Sequence, residues 1–482
     1  MENAIMMQAF EWYCPDDGNY FSWMATEIPE LAELGITSIW LPPFCKATGS
    51  NDTGYGIYDL YDLGEFDQKG SIRTKYGTKK ELLQLIQICH DHGVQVYADL
   101  VLNHKAGADR SELFKAVPVD PVNRSQDIGE ARDIEGWTGF DFPGRKGRYS
   151  RFKWNFNHFT GVDFDNKTGE TGVFRIVGEN KGWAFGVSGE LGNYDYLMFA
   201  DIDHAHPEVK KELFKWSDWL VRVTGVDGFR LDALKHIDDE FVLSFIKHCY
   251  RTKGKDFYLF GEYWMNDPRQ TDHYLYETKY ALDIFDVGLH FNLSRASQVR
   301  GEYDLREIFN NSVVKEHPQK AVTFVDNHDT QAGQKLASNV EPWFRRIAYG
   351  LILLRRDGYP CVFFGDYYGT GGEYPIPGQK EVLANLLHIR RTYAYGDQTD
   401  YFNDPHTIGW VRHGNEEHPG SLAVVITNGD ASQITMNVGP DQKGKEYKDL
   451  TGQIDELITI DGEGNGQFTV AEGSLCAWAA TE

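Results

Sequence analysis

The sequence predicts a (β/α)8 TIM barrel that carries a β-rich insertion after its third strand and a C-terminal antiparallel β domain. Three observations predict it. Short, nearly continuous apolar runs alternate with amphipathic helical patterns along most of the chain. That rhythm breaks at 105–200, where Gly, Asn, Asp and aromatics dominate, as in KWNFNHFTGVDFDNKTGETGVFRIVGENKGWAF. From about residue 397 it gives way to short alternating strands separated by Gly, Asp and Asn turns. Apolar strands alternating with helices imply a parallel sheet buried on both faces, and eight such units are the number that closes a barrel. An open doubly wound sheet is the alternative that the pattern alone allows.

The strand candidates, in order, are 4–12, 37–43, 94–104, 228–236, 257–264, 282–291, 321–329 and 359–369. Helical patterns such as KKELLQLIQICHDHG and EVKKELFKWSDWLVRVTG lie between them. Leu82, Leu85, Ile86 and Cys89 recur at the spacing of one apolar helix face. Several of these patterns stop at a glycine (Gly35, Gly93, Gly225, Gly358), the residue that tolerates a left-handed C-terminal position. The predicted division is a barrel from 1–104 and 201–396, an inserted domain at 105–200, and a β-sandwich at 397–482. Within the last, TIGWVRHG, SLAVVITNGD, SQITMNVG, QFTV and SLCAWAA read as strands. Trp410, Trp478 and Tyr447 fit core positions there, so no binding site is assigned to it.

The 482 residues exceed one small domain, at about 150 residues each. With 48 Lys and Arg against 72 Asp and Glu, the formal net charge is -24, which disfavours nucleic acid and acidic membrane surfaces as partners. Apolar residues make up 41% and aromatics 14%, enough for a large core and too many for a disordered chain. The six cysteines show no close pair of the zinc or redox kind. No apolar run approaches the roughly 20 residues that span a bilayer, and the start of the chain runs directly into an apolar strand rather than a leader pattern. A cytoplasmic, monomeric protein is expected.

In a parallel barrel, functional groups gather at the C-terminal strand ends. Strand three runs into Asp99, Asn103 and His104. Strand four presents Arg230 and Asp232 on one face, followed by Lys235 and His236. Strand five ends in Glu262, beside Tyr263 and Trp264, and strand seven in Asp326, His328 and Asp329. A single carboxylate at a barrel mouth is often an ion-pair or capping partner. Several acids together cost heavily unless cations or a substrate offset them. Three carboxylates from different strands suit glycoside hydrolysis, with Arg230 holding Asp232 ionised and an aromatic setting raising the pKa of Glu262. A divalent-metal hydrolase or enolase-like site is the competing reading of the same acids.

DLVLNH (99–104), GFRLDALKH (228–236), GEYW (261–264) and FVDNHD (324–329) resemble, in order, the four signature segments of the α-amylase family of retaining glycoside hydrolases. The resemblance extends to GYGIYDLYDLGEF (54–66) and LGNYDYLMFADIDHAHPEV (191–209), covers essentially the whole chain, and is nearest to the bacterial liquefying-type and intracellular enzymes. It implies Asp232 as nucleophile, Glu262 as acid/base and Asp329 as transition-state stabiliser. It also implies Arg230 as the positioner of Asp232, His104 and His328 as hydrogen-bond partners of the scissile sugar, and Tyr55 as its stacking surface. Lys235 and His236 fall on the leaving-group side, and Trp264 is a further substrate contact. Retention implies a carboxylate separation of ~5–5.5 Å.

The resemblance further implies a structural calcium between barrel and insertion, held by Asn103, Asp195, Asp201 and the backbone carbonyl of His236. These are the oxygen donors that a hard cation prefers. Liquefying relatives carry additional metals nearby. Here Ala184 and Ala205 stand where those relatives have aspartates, so one calcium is expected, with Asp163 and Asp203 too few for a tight second site. The implied activity is endo-hydrolysis of α-1,4-glucan: starch, glycogen or maltodextrin. A maltooligosaccharide-specific hydrolase or a transglycosylase on the same scaffold is the nearer alternative. A non-catalytic glucan-binding descendant is the remoter one, since all three acids are present.

Overall fold

The structure is a computed structural model that describes residues 3–481. Eight parallel strands close a barrel: β1 (Met6–Gln8), β2 (Ser38–Leu41), β3 (Gln95–Leu100), β4 (Gly228–Leu231), β5 (Tyr258–Gly261), β6 (Asp283–Phe285), β7 (Ala321–Phe324) and β8 (Tyr359–Phe363). Each strand pairs with its sequence neighbours, and β1 closes on β8 with Met6 opposite Cys361. The strands are shorter than the apolar runs that announce them. The run at 282–291 is strand only over Asp283–Phe285 and then a helix, Val287–Val299. The run at 359–369 likewise turns helical at Phe364–Tyr368. Both helices are buried on the barrel, so their apolarity continues that of the strand and hides the boundary.

The helices form where local signals favour them. Helix α1 spans Tyr20–Glu33, and α2 spans Lys79–Asp91 with Leu82, Leu85, Ile86 and Cys89 as its buried face. Thr78 and Glu81 close a reciprocal capping box at the start of α2, satisfying two main-chain donors that a bare end would leave open. Helix α3 (Pro207–Thr224) begins on a proline and ends at Gly225 in the left-handed region, φ 74°. Gly358 takes φ 84° but lies in the turn before β8, since the preceding helix ends at Leu353.

Between β3 and β4 the chain builds a six-stranded antiparallel sheet from His104–Lys105, Arg110–Val119, Arg132–Gly139, Phe159–Asp165, Glu170–Ile176 and Ala200–Ile202. Its first and last strands pair with each other, Asp201 opposite His104, so the sheet is stitched shut where it leaves the barrel. The C-terminal region pairs a six-stranded sheet with the two-stranded Ser432–Asn437/Asn465–Val470 ribbon. Val411, Val425, Met436, Tyr447, Phe468 and Trp478 fill the space between them. Trp410 is also fully buried, and its indole N–H donates to Leu354 O, tying this sandwich to the barrel. Among the described residues all six cysteines are free and buried. No helix among them is long and apolar enough to cross a membrane.

The barrel interior is aromatic. Trp40 on β2 meets Phe10, Phe260, Phe285 and His328 edge-on or tilted, and is fully buried. This layer is the floor on which the strand-end polar groups stand.

Candidate active site

Register places Arg230 beside Asp99 on β3 and Phe260 on β5. The Arg230 guanidinium therefore projects into the barrel mouth among strand-end carboxylates. Its Nη1 donates to Asp232 at 2.6 Å and to Asp99 at 2.9 Å, and its Nη2 donates to Glu262. One fully buried cation thus serves three carboxylates, rather than Asp232 alone as the sequence suggests. Beneath it the Trp40 ring lies 4.9 Å from the guanidinium carbon. The indole N–H also donates to Asp99 Oδ2 at 3.0 Å.

After Asp232 the chain turns sharply. Ala233 is held at φ 52°, a left-handed conformation unfavourable for a residue with a side chain. Leu234 N then donates to Glu262 O at 2.9 Å, locking the two catalytic strand ends together.

The charges do not balance. Asp99, Asp232, Glu262 and Asp329 surround one guanidinium, and the shortfall appears as raised pKa values. Burial is the main cause for Glu262. Arg230 opposes it, but Asp232, Asp329 and Asp99 reinforce it, and the carboxyl is pushed up to about 8. Asp329 is likewise raised by burial against the pull of Arg230. Tyr263 turns away to stack on Tyr274 at 4.2 Å, and Trp264 packs toward His290, Phe291 and Phe324.

The remaining groups line the same mouth. Tyr55 donates its hydroxyl to Asp99 Oδ2 at 2.9 Å. Its ring lies parallel to His328 (5.1 Å) and to Trp12 (5.9 Å), making a run of coplanar-facing rings on one wall. His328 Nδ1 accepts from the Gln8 amide at 2.9 Å, so its proton sits on Nε2, 3.3 Å from Asp329. Burial holds this imidazole well below its usual pKa and therefore neutral. His104 donates Nε2–H to Tyr55 O at 2.9 Å, which leaves Nδ1 as a buried acceptor with no protein partner. Asn327 Oδ1 accepts from the main-chain N–H groups of Asp329 and Thr330, fixing the Asp329 loop. Asp326 faces away from the mouth, accepting from Val340 N and Thr330 and pairing with Arg345, so it is structural. Lys235 pairs with Glu190 at 2.9 Å, and the buried His236 imidazole is held at Tyr194 O. Sequence reasoning missed Trp12, Gln8 and Trp40, whose apolar strand context looks like ordinary core.

Behind His104 and His236 lies a pocket of oxygen donors. Asn103 Oδ1 is buried without a hydrogen-bond partner. Asp201 is raised well above the usual carboxylate range by burial and by Asp195, and burial pushes Asp195 to about 7. Two buried acids that Arg124 offsets only in part, beside an orphaned amide oxygen, suit a hard cation. Asn103, Asp195 and Asp201 therefore fit calcium. Among the described residues, His158, His206 and Glu208 also bring three ligand-type side-chain atoms within 4.8 Å of one another. However, both imidazole Nδ1 atoms accept main-chain N–H groups, from Asn155 and Glu208. Their Nε2 atoms then carry protons, so the pair is better suited to donate to Glu208 than to ligate.

The chain matches the alpha-amylase catalytic domain over residues 24–385. It is 48% identical to an alpha-amylase of Geobacillus stearothermophilus, over 99% of this chain and 87% of that one. It is 46% identical to a glucan 1,4-alpha-maltohexaosidase of Bacillus sp. strain 707, over 99% and 92%. It is 39% identical to the cytoplasmic alpha-amylase of Escherichia coli K12, over the full length of both. Among solved structures, the Geobacillus thermoleovorans alpha-amylase complexed with acarbose shares the fold, with TM-score 0.65 at 21% identity over 100% of this chain and 98% of that one. With four carboxylates around one arginine at the barrel mouth and full-length kinship to these enzymes, the chain belongs to the alpha-amylase family of glycoside hydrolases.

Proposed function

We propose that the chain is an endo-acting α-1,4-glucan hydrolase that cleaves starch, glycogen or maltodextrin with retention of configuration. The observation that carries this reading is the joint hold of Arg230 on Asp232 and Glu262, two carboxylates within the span of one guanidinium. That proximity suits a nucleophile and an acid without an intervening water.

In this mechanism Glu262, kept protonated by its burial, gives its proton to the glycosidic oxygen as the C1–O bond breaks. Asp232 attacks C1 and forms a glycosyl ester, and the leaving glucan departs with its new hydroxyl. Glu262, now ionised, takes a proton from water, which attacks C1 and releases Asp232. Arg230 holds the Asp232 carboxylate in place for the attack and receives it again when water cleaves the ester. Asp329 and the neutral His328 Nε2–H grip sugar hydroxyls, His104 Nδ1 accepts one, and Tyr55 with Trp12 supplies a flat wall for the ring. Lys235 and His236 lie toward the leaving group.

Asn103, Asp195, Asp201 and the His236 carbonyl would hold calcium, which would supply positive charge beside the two buried acids and tie down the loop after Asp232. The proposed three-part division at 104/105, 200/201 and 396/397 cuts through the end strands of the inserted sheet, His104–Lys105 and Ala200–Ile202, which join it to the barrel. A cytoplasmic location is supported by the kinship to the Escherichia coli enzyme; a monomer is proposed. The kinship to a maltohexaosidase favours one second reading, release of a fixed short product.

Incubation with soluble starch and calcium, following iodine colour and reducing ends together, tests the proposal. Rapid colour loss with few reducing ends is expected. Reducing ends rising while colour persists would replace endo action with the fixed-product reading, and no change in either would overturn hydrolysis.

A further inference from the structure

We infer that Lys181 is a tethered counter-ion that fills a cation position at the junction of barrel and inserted sheet, and that removing it opens that position to a free hard cation. Its ammonium is held by three oxygens: Asp203 Oδ2 at 2.5 Å, Phe159 O at 3.2 Å and Asn157 O. Both charged side chains are nearly buried, with exposures of 7% and 8%. An ammonium has three N–H donors, so three oxygens saturate it. A carboxylate and two main-chain carbonyls are also the donor set that calcium or sodium takes from a protein.

The cradle does not depend on Lys181 for its shape. Asn157 lies in the short turn Phe156–His158, and Phe159 opens the strand Phe159–Asp165. Asp203 follows the strand Ala200–Ile202 and is fixed twice: its N–H donates to His158 O at 3.0 Å, and its Oδ1 accepts from Ala205 N at 3.2 Å. These are sheet and turn atoms with their own hydrogen bonds. With Lys181 shortened, three oxygens remain around a hole the size of an ammonium group.

The tether has a physical consequence. A covalently attached cation is present at an effective concentration that dilution and chelation do not change. Asp203 is thereby neutralised without drawing an ion from solution. Asp163 is also committed within the protein, accepting from Phe199 N at 3.1 Å. This inference extends the calcium reading above but does not require it, because the test compares variant with wild type.

The test uses the full chain and counts bound calcium by equilibrium dialysis, with Tm followed against calcium and sodium concentration. Lys181→Ala should bind one more calcium ion per chain than wild type, whatever number wild type binds. Its Tm in chelator should fall and recover saturably as calcium is added. Lys181→Met, which fills the cradle with an uncharged side chain of similar length, should lose Tm that neither cation restores. Lys181→Ser provides a second opened cradle should the alanine variant fail to fold. Equal calcium counts in the opened variants and wild type, with a Tm deficit that no cation repairs, would reduce Lys181 to a packing and hydrogen-bonding residue. Equal recovery of the methionine variant would also overturn the inference, since a filled cradle has no room for an ion. Wild type binding no calcium would sink the calcium reading alone.

Discussion

The Trp40 indole N–H donates to Asp99 at 3.0 Å while the face of the same ring supports the Arg230 guanidinium at 4.9 Å. One core aromatic therefore orients both the cation and the carboxylate beside it. Trp40→Phe keeps most of the volume and removes the donor. Asp99 retains Arg230 and Tyr55, so the stability loss should be about 1–3 kcal/mol, the cost of one buried hydrogen bond. Because the groups affected position Asp232 rather than bind distant sugars, kcat should fall while KM holds. Steady-state kinetics on maltoheptaose checks this; a rise in KM at constant kcat would assign Trp40 to binding.

Glu262 is predicted to be the proton donor to the leaving oxygen. Glu262→Gln should lower kcat on starch by about 10²–10⁴-fold, the usual contribution of a positioned acid. An aryl maltoside with an acidic phenol needs no protonation to leave, so its first bond cleavage should be far less affected. Equal losses on both substrates would remove Glu262 from that role.

The alkaline limb of activity follows from the same group. Burial, reinforced by Asp232, Asp329 and Asp99 and opposed by Arg230, puts the Glu262 carboxyl at about 8. An acid catalyst fails when it loses its proton, so kcat/KM should fall as pH rises through that value. Asp99→Asn removes one of the negative charges and should move the limb to lower pH. A limb that stays in place would belong to another group.

Most of the architecture is visible in the chain because period and chemistry agree. Apolar runs ending in Asp99, Asp232, Glu262 and Asp329 announce both the barrel strands and the acids at their ends. What escapes is what shares one signal between two states. Residues 287–299 are as apolar as the strand before them, so the helix boundary is hidden. Trp40 and Gln8 sit in runs that read as core, and only the closed barrel brings Gln8 to His328 across 320 residues. The charge imbalance around Arg230 is likewise a property of the assembled ring: the chain shows the acids but not that a single cation serves three of them.

Calcium removal should destabilise the junction, and increasingly so at higher pH. Burial moves Asp195 to about 7 and, with help from Asp195, raises Asp201. Unfolded aspartates titrate at about 3.9. A folded-state pKa raised above the unfolded value means that the metal-free fold holds its protons more tightly than the unfolded chain. Stability from this source is full below about 4 and is lost as pH climbs toward 7. A bound cation reverses the penalty by favouring the ionised acids. The Tm difference between calcium-loaded and chelator-treated protein should therefore be small near pH 5 and widen through pH 7. Asn103→Ala, which deletes the orphaned oxygen, should weaken calcium affinity and shrink that difference at every pH. A gap that is constant with pH would mean that the ion does not act through these two carboxylates.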